Sequence, residues 1–407
     1  MSTVHNELKK LATFSSSPNP SVTRIVFSKE DMEARAYFIS LCEEIDLKIR
    51  IDAVGNTFAR WEGTSPELPA IGTGSHIDAI PISGQYDGTV GVFGGLEAIR
   101  YLKSSGFVPK RSIEVLLFTS EEPTRFGIGC LGSRMLSGQL SPEEAKKLID
   151  FDGKNLEEVL KAVDFTEDLA TVKLPKDYYH AFIELHIEQG PILEKEQLDI
   201  GIVKMIAAPS SLSVKLIGEG GHAGAVLMPK RKDAGCAAAE IMLAVESIAQ
   251  NTTSENTVGT TGIFDIKPRA VNSIPKEAYL EIDLRDTFVE TRDKALQDIQ
   301  DKIQEVSDRR GIKSEVKLLN CDPPAVCSEE LVDTTEKVVQ ELGYSYQKMI
   351  SRAYHDSLFM AQVCPTTMIF IPCKDGVSHR PDEYSSPEEI DKGIRTLALT
   401  MKALADK

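Results

Sequence analysis

The chain has no run of apolar residues near the roughly 18 that a membrane-spanning helix needs. It has no CxxC pair either: its seven cysteines, Cys42, Cys130, Cys236, Cys321, Cys327, Cys364 and Cys373, are odd in number and scattered. That spacing excludes a disulfide framework and a thiolate zinc cluster, and leaves buried free thiols. Positive charge is in deficit, with 46 Lys+Arg against 62 Asp+Glu and a formal charge of −16. A field of that sign repels phosphate backbones and anionic lipid, so neither nucleic acid nor a membrane surface is an expected partner. A small anionic substrate is still admissible, because the local field of a site can oppose the global one. Residues 1–10 lack an apolar signal core, so no secretory signal is expected there. No GxSxG elbow is present, which argues against a serine hydrolase. Gly127-Ile-Gly-Cys-Leu-Gly132 fits GxGxxG, but it does not sit at a strand-to-helix turn, where a dinucleotide loop needs its glycines.

What is present is ordinary globular material, 42% hydrophobic and 27% charged over 407 residues, long enough for two domains. From about 22 to 50 the pattern predicts a helix, opened by a capping box at Ser28-Lys-Glu-Asp31 and continued by Tyr37, Ile39, Leu41 and Ile45. Short apolar runs then alternate with helical patterns, which predicts an α/β domain with a central mixed sheet flanked by helices. Four runs matter most. Leu68-Pro-Ala-Ile-Gly-Thr leads into Gly74-Ser-His76-Ile-Asp78, and Ile113-Glu-Val-Leu-Leu-Phe-Thr into Ser120-Glu121-Glu122-Pro. Ala181-Phe-Ile-Glu-Leu leads into His186-Ile-Glu-Gln189, and Thr366-Thr-Met-Ile-Phe-Ile toward Gly376-Val-Ser-His379-Arg-Pro. Each strand-like run ends in side chains able to bind a metal, and sites in open α/β sheets form at the carboxyl ends of strands.

Near residue 210 the rhythm changes. A half-buried strand from Leu212, an Ala-rich helix over 231–249, strands near 260–266 and 278–284, a charged helix over 290–310 and a strand over 314–319 follow in turn. That β-α-β-β-α-β order predicts a ferredoxin-like unit over 210–324, inserted into a domain made of 1–209 and 325–407.

The chemistry rests on an ordered set. His76-x-Asp78 places a carboxylate two residues from an imidazole, where it could fix the ring's tautomer, although a lone His at a strand end is more often a loop residue. Asp87, in Gln85-Tyr-Asp-Gly88, precedes a helical stretch and reads either as its N-cap or as a carboxylate bridging two cations. Glu121-Glu122 directly after an apolar strand is costly unless a cation is near. Together with His186 and His379, the set supplies two His and one Asp to one ion, and one Asp, one Glu and one His to another. Nitrogen and oxygen donors without thiolate suit Zn, Mn or Co. One Glu is left over to act as a base.

These residues, with Ser120-Glu-Glu-Pro-Thr-Arg-Phe-Gly127, Gly221-His-Ala-Gly224 and Ser378-His-Arg-Pro-Asp-Glu-Tyr384, resemble the M20 metallopeptidase-like amidohydrolases, in particular the hydantoinase/carbamoylase subgroup and its plant ureide-degrading branch. The resemblance implies metal ligands His76, Asp87 (bridging), Glu122, His186 and His379, with Glu121 as base beside Asp78. It implies two divalent ions per subunit, Mn2+ first and Zn2+, Co2+ or Ni2+ as substitutes. It further implies substrate contacts from Gln189, His222, Asn272, Arg285 and His355, with the inserted unit serving as a lid and dimerisation domain that carries His222 and Asn272 into a partner's site. The expected reaction is hydrolysis of a ureido C–N bond, with ureidoglycolate as first substrate and allantoate or an N-carbamoyl amino acid as alternatives. The endoplasmic reticulum is the compartment the same resemblance implies. One departure stands out: where the subgroup often has Gly-Ala-Gly-His-Asp-Ala, this chain reads Arg352-Ala-Tyr-His-Asp-Ser357.

Overall fold

The structure, a computed structural model, describes residues 2–407. The chain divides into two compact units. The larger holds the chain through Lys204, then Val326–Ser351 and His355–Lys407; the smaller holds Met205–Ala325 and Arg352–Tyr354. The three residues 352–354 leave the larger unit and return to it, which no composition shift announces.

In the larger unit the four apolar runs singled out above become four neighbouring strands of a nine-stranded sheet. They lie in the order Thr366–Ile371, Tyr179–Ile187, Ala70–His76, Ile113–Phe118, and each adjacent pair is parallel. Three of them are buried at every residue, which is why they read as continuous apolar runs rather than alternating ones. Antiparallel strands extend the sheet on both sides, Thr57–Trp61 and Lys48–Ile51 beyond Ile113–Phe118, and Ile200–Ile206 beyond Thr366–Ile371. Helices Thr89–Ser104 and Pro387–Ala405 pack on one another and on the central strands. Phe118 and Phe182 join a separate cluster with Leu131, Leu136, Leu156 and Leu160. Each such side chain contributes roughly 1.5–3 kcal/mol through burial.

The helix expected over 22–50 is shorter in the structure. It spans Lys29–Glu43 and is flanked by the strands Val22–Arg24 and Lys48–Ile51. Asp46 adopts φ 57, a left-handed conformation that turns the chain out of the helix. The capping box is half made: Ser28 Oγ accepts from the Asp31 N–H at 3.2 Å, while the Asp31 carboxylate accepts from Phe27 N–H and Arg35 Nε, both at 2.8 Å.

The smaller unit has the elements Ala208–Ile217, Ala234–Gln250, Val258–Lys267, Glu277–Asp286, Val289–Arg310 and Lys313–Cys321, a βαββαβ succession. Its four strands are ordered Val258–Lys267, Glu277–Asp286, Ala208–Ile217, Lys313–Cys321, all antiparallel, as in a ferredoxin-like sheet. Leu212, Val214, Leu216, Leu280, Ile282 and Leu284 face Ile241, Val245, Ile299 and Ile303 across its core. Among the described residues no helix is long and apolar enough to cross a membrane.

Candidate metal centre

Parallel strands end on the same side of a sheet, and here the register is close. His76 lies opposite Phe118, and His186 opposite Phe370. The loops leaving these ends therefore converge. Among the described residues three groups of donor atoms lie within 4.8 Å of one another; two of them, His76–Asp87–His186 and Asp87–Glu122–His379, form triads around Asp87, and the third, Glu184–His186–His355, shares His186. Asp87 belongs to the first two. Its Oδ1 lies 3.7 Å from His76 Nε2 and 3.2 Å from His186 Nε2, while its Oδ2 lies 3.0 Å from His379 Nε2. Glu122 Oε1 completes the second group 3.4 Å from His379 Nε2. The two oxygens of one carboxylate thus point at two separate positions.

The backbone at these loop ends is unusual. The helix after Asp87 is capped by Gly88, with φ 67 and no side-chain cap, so Asp87 is not the N-cap. A Cβ on Gly88 would sit 2.4 Å from His76 Nε2, which makes glycine obligatory where this turn passes the imidazole. Ser120, Gln189 and His379 all have positive φ, 56, 55 and 59. Such strain costs of the order of 1–3 kcal/mol per residue and gathers where function needs it.

Both buried histidines present Nε2 to Asp87 because Nδ1 is committed to backbone. His76 Nδ1 meets the Asp78 carbonyl at 3.0 Å and His186 Nδ1 the Ile187 carbonyl at 2.9 Å. This corrects the role expected for Asp78. Its carboxylate is 3.7 Å from His76 Nδ1, and instead accepts the backbone N–H of Glu121 at 3.2 Å and of Glu122 at 3.0 Å. Asp78 therefore positions the pair of glutamates, and its backbone orients the histidine. Glu121 directs Oε2 to within 3.7 Å of His76 Nε2 and accepts the Cys130 S–H on Oε1 at 3.5 Å. It belongs to neither donor triad.

Electrostatics set the cluster apart. Burial alone would strip the proton from His76, yet Glu121, Asp87 and Asp78 push its pKa well above the ordinary histidine value. Burial would raise Asp87, but hydrogen bonds from His186, His379 and His76 hold its carboxyl well below the usual range. The hydrogen bond to Asp87 lifts His379 to about 9. Burial and the neighbouring Asp87 lift Glu122 to about 7, and burial followed by nearby carboxylates lifts Glu121 well above the ordinary carboxyl value. Shifted groups of this kind, gathered around one buried carboxylate, are a site whose positive charge is supplied by protons or by cations.

A residue without an assigned role joins the loops. Glu383 Oε1 accepts the N–H groups of Tyr86 and Asp87 at 2.8 and 3.0 Å, and its Oε2 accepts Ser378 Oγ at 2.9 Å and the His379 N–H at 3.3 Å. It ties the bridging ligand's loop to the last ligand's loop. Its place four residues after His379 was visible in sequence, but its partners were not.

The expected substrate contacts divide between the units. In the larger, Gln189 donates to Asp87 Oδ2 at 2.7 Å, leaving its own Oε1 buried without a partner. His355 is buried, with Nε2 2.9 Å from Ser351 Oγ and its ring edge-on to His186 at 4.5 Å. In the smaller, His222 and Asn272 come together: the short strands Gly221–His222 and Ser273–Ile274 pair, and both residues line a recess of about 530 Å³. His222 Nδ1 accepts the Gly224 N–H at 3.1 Å, so in the neutral ring Nε2 carries the proton. Arg285 presents Nε and Nη2 to Asp283 and donates from Nη1 to the Arg352 carbonyl at 3.1 Å. Its bidentate edge is thus already engaged.

The sequence profile described as Peptidase family M20/M25/M40 matches residues 72–403. The chain is 52% identical to a ureidoglycolate hydrolase of Arabidopsis thaliana, over 99% of this chain and 86% of that protein. It is likewise 52% identical to a ureidoglycolate hydrolase of Oryza sativa subsp. japonica, over 99% and 84%. The crystal structure of AtUAH in complex with (S)-hydroxyglycine superposes with a TM-score of 0.92 at 50% identity, covering 99% of this chain and 97% of that one.

Proposed function

Since the chain belongs to peptidase family M20/M25/M40, we propose that it is a metal-dependent amidohydrolase cleaving the ureido C–N bond of (S)-ureidoglycolate. The observation that carries the reading is the division of Asp87, one oxygen to each of two donor triads, with Glu121 beside them and outside both. The choice of substrate is supported by the half-identical plant hydrolases and by the product-like (S)-hydroxyglycine in the related structure. Water adds to the carbamoyl carbon and the bond to the inner nitrogen breaks. Carbamate then yields ammonia and carbon dioxide, and hydroxyglycine collapses to glyoxylate and ammonia.

The donors fit divalent cations: they are imidazole and carboxylate, all buried except the exposed His379, and arranged around a shared acid. Cations held by His76, Asp87, His186, Glu122 and His379 would supply Lewis acidity, able to polarise a carbonyl and acidify water. The chain's own residues do the rest. Glu121 takes the proton of the attacking water and hands it to the leaving nitrogen. Gln189 Oε1 offers the acceptor a ureido N–H needs. Arg285 binds the substrate carboxylate, exchanging it for Asp283. His222 Nε2–H donates to the developing oxyanion, with Asn272 beside it.

We assign Mn2+ as the preferred metal, a homodimer in which His222 and Asn272 serve the partner's centre, and residence in the endoplasmic reticulum. All three rest on likeness to the subgroup and are separately testable. Apo-protein is reloaded with Mn2+, Zn2+, Co2+ or Ni2+ and assayed for ammonia release from ureidoglycolate, allantoate and N-carbamoyl amino acids. Ureidoglycolate with Mn2+ should lead, and preference for another ureido acid refutes the assignment. Mixing inactive His222→Ala and Glu121→Gln chains should restore one working site per hybrid dimer. Verified hybrids without activity would place His222 in its own subunit's chemistry or outside it. Fractionation of cells carrying the tagged full chain tests the compartment.

A further inference from the structure

We propose that Ser378 and Glu383 release Asp87 for the second donor triad: the Ser378 hydroxyl, shared between the two carboxylates, passes wholly to Glu383 once Asp87 Oδ2 is bound to a divalent cation. The inference rests on the metal-dependent reading above. Every residue it uses belongs to the larger unit.

The number of donors around one oxygen carries it. Asp87 Oδ2 accepts from Gln189 Nε2 at 2.7 Å and from Ser378 Oγ at 3.0 Å, and His379 Nε2 lies 3.0 Å away. A carboxylate oxygen offers about two lone pairs, so three donors already exceed its capacity. With one lone pair given to a cation and His379 serving as a ligand, a single acceptor position is left for Gln189 and Ser378. Gln189 is the nearer of the two. Ser378 has a second acceptor, because its Oγ also lies 2.9 Å from Glu383 Oε2. A hydroxyl carries one proton, which can serve only one of the two carboxylates fully. Gln189 Nε2 lies 3.2 Å from the same Oγ, so the hydroxyl still accepts from that amide after its proton has moved to Glu383.

Glu383 is placed to take this proton. It is 2% exposed, and its Oε1 is engaged by the N–H groups of Tyr86 and Asp87 at 2.8 and 3.0 Å, which leaves Oε2 facing Ser378. The other donor to Oε2 is the His379 N–H, at a long 3.3 Å. Gly84 makes the room, since a Cβ there would fall 2.4 Å from Cβ, Cδ and Oε1 of Glu383. A glutamine at 383 would keep its oxygen on Tyr86 and Asp87 and present N–H to Ser378, which turns the hydroxyl proton back onto Asp87. Ser378 and Glu383 are positioning residues in this scheme, and neither supplies a metal ligand.

The test is calorimetric titration of the full chain with Mn2+ after chelation. Glu383→Gln should weaken the second ion about tenfold, the lower end of the roughly 10–100-fold seen when partners of metal ligands are lost, and leave the first within about twofold. Ser378→Ala removes the rival donor, so its second ion should stay within about threefold of wild type. Adding Ser378→Ala to Glu383→Gln should restore the second ion to that same range. Wild-type affinity for the second ion in Glu383→Gln overturns the proposal. So does a double variant as weak as Glu383→Gln, because Glu383 would then act only by holding the two loops. If Glu383→Gln does not fold, Ser378→Ala decides alone: a second ion weakened about tenfold shows that the hydroxyl supports the triad rather than yields to it, and overturns the proposal. Fewer than two ions in the wild-type protein overturn it together with the metal-dependent reading. Two ions without cleavage of any ureido acid sink the proposed substrate and leave the hand-over standing.

Discussion

Gly88→Ala is the sharpest perturbation available, because it adds one carbon where the structure leaves no room. The new Cβ would fall 2.4, 2.5 and 2.6 Å from Nε2, Cδ2 and Cε1 of His76. Ordinary contact needs about 3.5 Å, so the ring or the turn must move by about 1 Å. Metal ligands tolerate only about 0.2 Å. If His76 yields, one triad loses one of its two imidazoles; if the turn yields, Asp87 is displaced and both triads suffer. A non-glycine residue at φ 67 adds backbone strain, about 1–2 kcal/mol, which lowers the melting temperature by a few degrees. A 1 Å misplacement costs about a hundredfold in rate. Gly106→Ala is the control, with φ 75 and nothing within 4 Å of its Cβ: it should show the same loss of melting temperature and full activity. Elemental analysis after dialysis and ammonia release read the two variants. A Gly88→Ala protein with wild-type metal content and turnover would refute the steric reasoning.

Glu121→Gln should retain its metal and lose at least about a hundredfold in rate, since only the proton carrier is gone; near-normal turnover removes Glu121 as base. His186→Ala should lose one ion and keep the group formed by Asp87, Glu122 and His379, so full metal content after dialysis removes His186 from the ligands. His379, raised to about 9, and Glu122, raised to about 7, hold protons near neutrality when no cation is bound. Loading must expel those protons, so metal affinity should climb as pH rises from 6 toward 9, and calorimetry in buffers of different ionisation enthalpy should register their release. Affinity flat across that range sinks the argument.

His76, Glu121–Glu122 and His186 were legible because they sit at or just past the end of a buried strand. An apolar run can be read as fully covered, and polar residues at its end then have few places to go. The inserted unit was legible for a related reason, since Leu212-Ser-Val-Lys-Leu-Ile alternates with the period of a sheet covered on one face. What stayed hidden depends on backbone dihedrals and distant partners. Asp78 looked like the companion of His76 because it is close in sequence, whereas its carboxylate serves amides 43 and 44 residues away. The left-handed residues Ser120, Gln189 and His379 carry side chains common at ordinary dihedrals, so nothing marks them. The helix expected over 22–50 was overdrawn at both ends: residues 22–24 form a strand, and the chain leaves the helix after Glu43, turning at Asp46 with its positive φ.

The place of the strand Thr366–Ile371 has a consequence for how the protein is made. It lies between Tyr179–Ile187 and Ile200–Ile206, pairing with both, although synthesis delivers it last. At about 5–20 residues per second, the ribosome emits that strand roughly 10 to 40 seconds after its neighbours. During that interval both neighbours present an unpaired edge, the condition that invites wrong partners. The smaller unit, Arg352–Tyr354 included, is made almost entirely within that interval, so it can fold while the sheet waits. His379 emerges later still, so a nascent chain cannot assemble the second donor triad until that residue has left the ribosome. A chain truncated before Thr366 should therefore lack the second triad and expose both sheet edges to chaperones.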